Sequence, residues 1–202
     1  MNKKFFVSFA SFLVGILSFT FSVSAQASPD KKSVYPNVKI SNFGQLDDRF
    51  YRGARPSAKD MVALKSIGID TIIDLTENTP EERGFAEAAG LKYVNIAIKD
   101  KSYPTPEAVA EFLKVANDPS TGKFFVHCAG GRHRTGDMGA LWRFANYGWS
   151  YDQVMREMNN FDFYSSGHKD SLQFVVDYAQ KYELARNAAA AHNSTAAGGS
   201  KL

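Results

Sequence analysis

The chain has 202 residues, of which 44% are apolar and 22% are charged, so it is long enough to bury one hydrophobic core. This composition excludes a disordered chain and a miniprotein held together by disulfides. The 24 basic and 21 acidic residues leave a net charge of +3, which argues against nucleic acid as a partner. No internal repeat with a period of about 20 to 50 residues is apparent, and the sequence therefore predicts one compact domain.

The first 27 residues have the pattern of a signal peptide. Lys3 and Lys4 precede an apolar run over residues 5–23, and Ala25 and Ala27 supply the small side chains that signal peptidase requires. We expect cleavage after Ala27 or, as the second choice, after Ala25. The mature protein would then be periplasmic or secreted, without stable membrane insertion. An uncleaved membrane anchor is the alternative, because the run is nearly long enough to span a bilayer, but its hydroxyl residues favour cleavage.

Strand and helix patterns alternate from residue 57 onward. Ser57 opens a capping box, and the helix that follows stops at Gly68. Further segments are predicted as strands over 71–75, 91–98 and 123–127, and as helices around 80–89, 109–116, 138–145, 151–158 and 172–179. This alternation predicts an α/β fold with a mostly parallel central sheet flanked by helices. We expect the domain to cover residues 28–186 and a disordered tail to cover 187–202.

Cys128 is the only cysteine in the chain. Exported proteins normally use cysteines in pairs as disulfides, and this one has no partner. It is therefore either a buried structural residue or a free thiol kept for chemistry.

The loop after the strand at 123–127 has the composition of an anion site. Gly130 and Gly131 allow the backbone to curl so that successive N–H groups point inward, and the helix that follows adds the positive end of its dipole. Arg134 can close this cradle with a bidentate fork onto phosphate oxygens. The residues predicted to bind phosphate are Ala129, Gly130, Gly131, Arg132, His133 and Arg134.

The same loop predicts a reactive thiol at Cys128. Cationic neighbours and a helix amino terminus lower the pKa of a cysteine, so we expect a thiolate at neutral pH. A thiolate beneath a bound phosphate monoester can attack phosphorus and form a thiophosphoryl enzyme, which water then hydrolyses. This chemistry needs neither a metal nor a cofactor.

His127, Cys128, Arg134 and Thr135 match the signature of a known family, which is His-Cys, five residues, Arg, then Ser or Thr. The chain resembles the cysteine-dependent protein tyrosine phosphatase superfamily, and its compact size is similar to the dual-specificity branch. The resemblance implies that Cys128 is the nucleophile, Arg134 binds the phosphoryl group and Thr135 assists departure of the thiolate. It also implies that His127 holds the loop by hydrogen bonding.

The resemblance covers most of the mature chain, including residues 50–53 and 68–75. Residues 131–136 are similar to the same loop in atypical fungal and plant enzymes and in bacterial phytase-like members, which are associated with inositol phosphates.

In this family the general acid is an aspartate on a loop upstream of the cysteine. Asp100 fits best, because it follows the strand predicted at 91–98 and precedes the next helix. The alternative is that Asp100 is a solvated loop carboxylate between Lys99 and Lys101. Asp74 is a weaker candidate, because it ends a strand much earlier in the chain.

The predicted substrate follows from the charges around the loop. Arg132 and His133 lie within it, and Lys99 and Lys101 are expected at the rim of the same mouth. Several cations suit a polyphosphorylated ring, whereas phosphotyrosine needs one phosphate clamp and an apolar slot. The sequence therefore favours an inositol polyphosphate over a phosphoprotein.

Three other functions and several structural roles are also compatible with the residues. The chain could be a rhodanese-like sulfurtransferase, an inactive domain that only binds phosphorylated ligands, or a structural domain with a buried thiol. Arg52 is expected to pair with a carboxylate or a backbone carbonyl, and Trp142 and Trp149 are expected to pack in the core.

Overall fold

The computed structural model describes residues 35–77 and 79–198, so the predicted signal peptide lies outside the described residues. Five strands form one sheet in the order β1-β2-β5-β3-β4. Their bounds are β1 Gly44–Gln45, β2 Phe50–Ala54, β3 Thr71–Asp74, β4 Lys92–Asn95 and β5 Phe124–Cys128. Only the β1–β2 pair is antiparallel, which confirms the predicted α/β fold with a mostly parallel sheet.

Helices connect and cover the strands. They are α1 Ala58–Ser66, α2 Pro80–Ala88, α3 Pro106–Asn117, α4 Arg134–Tyr147, α5 Tyr151–Asn160 and α6 Lys169–Gly198, with a short 3-10 helix at Pro119–Thr121. Ser57 and Ser150 cap α1 and α5, each in a complete capping box with the residue three positions later. Within the described residues, none of the helices combines the length and the apolar character needed to cross a bilayer.

The sheet separates two hydrophobic cores. Side chains of its central strand β5 alternate between the two faces and so contribute to both cores. Phe124, Val126 and Cys128 lie in the core that also contains side chains of α3, α4, α5 and α6. Phe125 lies in the opposite core, with side chains of α1, α2 and the segment 38–40. Cys128 thus points towards the four-helix side, at the carboxyl end of a fully buried strand.

The structure adds two strands that the sequence patterns did not indicate. β2 contains Arg52 and Gly53, and four of its five residues are buried, so it shows no alternation of apolar and polar side chains. β1 has only two residues and pairs at the sheet edge. β4 is shorter than predicted, although Ile96 and Ile98 still donate backbone hydrogen bonds to Asp74 and Leu75.

The last helix continues beyond the point where we expect the tail to begin. α6 is helical through Gly198, whereas the sequence predicts disorder from residue 187. Alanine at 188–191 has the highest helix propensity of any residue, which explains why the helix extends into this segment.

Candidate active site

The loop from Cys128 to Arg134 is held by donors that surround it. The carbonyl of Ala129 accepts from the amide of Arg55 (3.3 Å), and the carbonyl of Gly130 accepts from the side-chain amide of Asn42 (2.9 Å). The carbonyl of Gly131 accepts from the guanidinium of Arg52 (2.5 Å). Because the N–H of a trans peptide points opposite to its carbonyl, the next three N–H groups face the inside of the loop. The loop therefore has the geometry of an anion cradle, and phosphate binding by residues 129–134 stays a prediction.

Glycine is required at position 131. Its φ of +67° lies in the left-handed region, and a Cβ atom there would lie 2.4 Å from the carbonyl carbon of Gly53. The loop thus packs directly on the backbone of β2, and no larger residue fits without moving one of them.

Cys128 lies at the base of this cradle with 4% of its surface exposed. Burial tends to raise the pKa of its thiol, but the hydroxyl and amide of Thr135, the charge of Arg134 and the amide of Gly131 together lower it below the ordinary value. The structure therefore brings Cys128, Thr135 and Arg134 together, and it favours the thiolate form.

Arg134 is anchored so that its guanidinium stays at the mouth of the loop. It donates to the carbonyl of Ile98 (3.0 Å) and lies 3.3 Å from a carboxylate oxygen of Asp100. The Asp100 side chain is 56% exposed, so its carboxylate can reach a leaving group as well as Arg134. The structure places Asp100 at the site, and its role as the general acid remains a prediction.

The two lysines of the predicted rim lie on the same loop as Asp100. Lys99 and Lys101 are both exposed. Burial lowers the pKa of His168, Asp100 partly opposes this, and Lys101 lowers it further, so the side chains of Asp100 and Lys101 both lie near this imidazole. The loop after β4 therefore carries two cations next to the candidate acid.

His133 does not add positive charge to the cradle. Its Nε2 lies 3.0 Å from the carbonyl oxygen of Tyr164, and its ring stacks on that of His168 with centroids 3.3 Å apart. Burial, followed by the neighbouring His168, lowers the pKa of His133 to about 4, so the ring is neutral at neutral pH. The expectation that His133 supplies a cation is therefore not met, because its side chain packs against the segment 163–168.

Arg132 remains available to a ligand. It is half-buried, and its Nη1 lies 3.6 Å from the position that a Cβ on Gly130 would occupy. Its Nε has no hydrogen-bond partner within the described part of the chain. Arg132 is therefore the second arginine of the loop, beside the anchored Arg134.

His127 belongs to a buried polar cluster on the other face of the sheet. Its Nε2 lies 2.6 Å from a carboxylate oxygen of Glu82, and its Nδ1 lies 3.8 Å from Asp74 and 3.4 Å from the carbonyl oxygen of Cys128. These contacts agree with the structural role implied for His127. The ligand atoms of this trio lie within 4.8 Å of one another, a spacing that a metal ion could use.

Protein groups already engage both carboxylates of this cluster. Asp74 accepts hydrogen bonds from Thr76 and Thr79 and from the hydroxyl of Tyr93 (2.6 Å). Glu82 pairs with Arg55 at 3.3 Å. The cluster is therefore a hydrogen-bonded support of the loop, and Asp74 is too deeply engaged to serve as a general acid.

Sequence patterns did not place Arg52, Tyr164 or His168 at the site, although Arg52 does pair with a backbone carbonyl, as expected. Arg52 lies beneath the loop, and Tyr164 and His168 flank it from the segment between α5 and α6. No spacing rule connects them with Cys128, because only the packing of α6 and the register of β2 bring them near. Trp142 and Trp149 pack in the core, as expected.

Comparison with known proteins agrees with this geometry. The family described as "DSP-PTPase phosphatase fused to NAD+ Kinase" matches residues 25–177. This match covers more than half of the chain, and the chain therefore belongs to that family of cysteine-dependent phosphatases. Membership confirms the resemblance to the dual-specificity branch and excludes a rhodanese-like sulfurtransferase.

Three individual proteins illustrate the relationship. The inositol diphosphatase DSP3 of Arabidopsis thaliana is 36% identical over 102 residues, which are 48% of this chain and 50% of DSP3, so the chain spans about half the length of that relative. TpbA of P. aeruginosa has a TM-score of 0.62 at 20% identity, covering 72% of this chain and 90% of TpbA. The catalytic core of the PP-IP phosphatase SIW14 of S. cerevisiae has a TM-score of 0.59 at 21% identity, covering 73% and 93%. At these identities the two structures show the fold.

Proposed function

We propose that this chain is an exported, cysteine-dependent phosphatase that hydrolyses phosphate monoesters of inositol polyphosphates. One observation carries the proposal. The Cys128 thiol lies at the base of a loop whose carbonyls at 129–131 are bound from outside, so that the N–H groups face inward above the sulfur. That arrangement fits a phosphoryl group and a thiolate nucleophile.

The first chemical step transfers the phosphoryl group to sulfur. The cradle and Arg134 hold the phosphate oxygens while the Cys128 thiolate attacks phosphorus. A P–S bond forms as the P–O bond to the ester oxygen breaks. Asp100 gives its proton to that oxygen, so the alcohol leaves uncharged.

The second step releases inorganic phosphate. The Asp100 carboxylate takes a proton from water, the hydroxyl oxygen bonds to phosphorus, and the P–S bond breaks. Thr135 donates a hydrogen bond to the departing sulfur, which returns as a thiolate. Protons and charge balance over the two steps, and neither step requires a metal.

The charges at the mouth support an inositol polyphosphate as substrate. Lys99 and Lys101 are exposed and Arg132 lies in the loop, so all three cations can meet further phosphates on the ring, in addition to the one held by Arg134. The names of two similar proteins point the same way, since one is an inositol diphosphatase and the other a PP-IP phosphatase.

A phosphotyrosyl protein is the second candidate. Tyr164 is 48% exposed beside the stacked rings of His133 and His168, and it gives one side of the mouth an aromatic wall. The fold neighbour TpbA has been crystallised in complex with phosphotyrosine.

Specificity constants decide between the two substrates. We expect a higher kcat/KM for inositol hexakisphosphate than for phosphotyrosyl peptides. We also expect Lys99→Ala/Lys101→Ala to lower the value for the inositol phosphate roughly tenfold at low salt, because the rim cations steer and hold the extra phosphates.

Lys65→Ala/Lys114→Ala is the matched control. It removes the same charge from the last turns of α1 and α3, away from the loop after β4. A preference for the peptides, with the rim variant no different from this control, would make phosphotyrosine the substrate.

Export is part of the proposal and rests on the sequence of residues 1–27. We expect the mature protein, isolated from the periplasm or the medium, to begin at Ser28 or, after the second-choice cleavage, at Gln26. Amino-terminal sequencing measures this. A chain that still begins at Met1 and sediments with membranes would show an uncleaved anchor instead.

A further inference from the structure

Arg52 is a buried arginine directly beneath the catalytic loop. It lies on β2 with 1% of its surface exposed, on the same face of the sheet as Cys128. Its Nη2 donates to the carbonyl of Gly131, and its guanidinium lies over the ring of Phe161, 4.1 Å from the centroid. Burying a charged group without a paired charge costs several kcal/mol, so we expect this arginine to have a function that offsets the cost.

No ion pair neutralises Arg52 among the described residues. Glu157 is the carboxylate with the largest effect on it, and Glu157 is held by Arg143 at 2.6 Å. Asp137 is buried behind the loop and hydrogen-bonded by Ser171. Burial raises the pKa of Asp137 to about 8, so this carboxyl is mostly uncharged at neutral pH.

The hydrogen bond from Arg52 fixes the orientation of one peptide group. The carbonyl of Gly131 and the N–H of Arg132 belong to the same trans peptide, so they point in opposite directions. With the carbonyl held from below by Arg52, the N–H of Arg132 faces the inside of the cradle. In the described part of the chain, Arg52 is the only donor to that carbonyl, so the orientation of this peptide rests on Arg52 and on the packing of Gly131 against Gly53.

The charge of Arg52 also acts on the thiol. Burial lowers the pKa of Arg52 to about 10, and the negative charges of Glu157 and Cys128 oppose that effect. Arg52 is thus within electrostatic range of the sulfur and stays protonated at neutral pH. Among the other charged or titratable groups, Arg134 acts on the thiol, Glu157 and Asp137 act on Arg52, and Asp100 pairs with Arg134 at the mouth. His127 lies on the other face of the sheet, against Glu82 and Asp74.

We infer that Arg52 is a positioning residue that acts from behind the loop, holding the Gly131 carbonyl so that the cradle stays open to phosphate and stabilising the Cys128 thiolate through its buried charge. The inference rests on the proposed function, because it assigns a second arginine to the same site. Unlike Arg134, this arginine does not touch the phosphate.

The chain offers a clean test, because Cys128 is its only thiol. The pH dependence of its alkylation by iodoacetamide gives the pKa of the thiol, and protection by inorganic phosphate gives the affinity of the cradle. The variants are Arg52→Met, which removes charge and donor, and Arg52→Lys, which keeps the charge without the planar fork.

Arg49→Met is the matched control. Arg49 lies just before β2, donates to the carbonyls of Gly122 and Asp118, and lies 5.5 Å from the ring centroid of Phe124. It therefore makes the same kinds of contact at the amino end of β2, whereas the catalytic loop follows the carboxyl end of β5.

We expect Arg52→Met to raise the pKa of the thiol by roughly one unit and to weaken phosphate binding at least ~5-fold. Arg52→Lys should keep the pKa of the thiol and still weaken phosphate binding. Both values should be unchanged in Arg49→Met. If Arg52→Met matches Arg49→Met in both measurements, Arg52 is only structural and the inference is wrong.

Where Arg52→Met gives no soluble protein, Arg52→Lys decides alone. Weaker phosphate binding then supports the inference, and unchanged binding overturns it. Neither measurement needs turnover, so a protein that fails to hydrolyse any phosphate ester would refute the proposed function without deciding the role of Arg52.

Discussion

Replacing Cys128 with serine is expected to reduce the release of phosphate from an aryl phosphate by at least ~10³-fold. A serine hydroxyl does not ionise near neutral pH, whereas the contacts from Thr135, Arg134 and Gly131 favour a thiolate in spite of burial. Steady-state rates at saturating substrate measure the loss.

Phosphate binding should survive the same replacement. The cradle is made of backbone N–H groups and Arg134, and the outside donors that hold it do not involve the thiol. Calorimetry with inorganic phosphate is the control. A serine variant with activity within tenfold of the parent would show that Cys128 is not the nucleophile.

Replacing Asp100 with asparagine is expected to lower turnover of alkyl phosphates by ~10²-fold or more, and to affect aryl phosphates with good leaving groups far less. Only a poor leaving group needs a proton as the P–O bond breaks. The exposed side chain of Asp100, 3.3 Å from Arg134, would supply that proton in its protonated carboxyl form.

Asp48→Asn is a suitable control, because Asp48 is an exposed carboxylate in the turn before β2. This turn lies at the amino end of β2, away from the catalytic loop. It should leave both substrates unchanged. Equal losses on alkyl and aryl phosphates in Asp100→Asn would mean that Asp100 only holds Arg134 in place.

Much of the fold follows from local signals. The capping boxes at Ser57 and Ser150 place the starts of α1 and α5, and strand β5 stands out as a run of apolar residues. β2 escapes such patterns because it is buried on both faces and yet contains an arginine. Its position in the sheet depends on pairing with β5, which is more than sixty residues away in the sequence.

The candidate site also contains some residues whose positions follow from local sequence and others whose positions do not. Cys128, Thr135 and Arg134 lie within eight consecutive residues, so their proximity could be predicted from the loop itself. The neutral state of His133 could not be predicted, because it depends first on burial of the ring and then on stacking with His168, which the packing of α4 on α6 brings near. The anchor from Arg52 depends on the register of β2 with β5, in which Ala54 pairs with Cys128.

The central claim is that phosphate passes through sulfur, and the direct measurement is mass spectrometry of protein quenched in acid during turnover of an aryl phosphate. We expect one phosphoryl group on the peptide that contains Cys128, absent from Cys128→Ser and lost on longer incubation as water hydrolyses the intermediate. Undiminished phosphate release without any phosphorylated Cys128 peptide, under conditions that preserve a P–S bond, would contradict the mechanism.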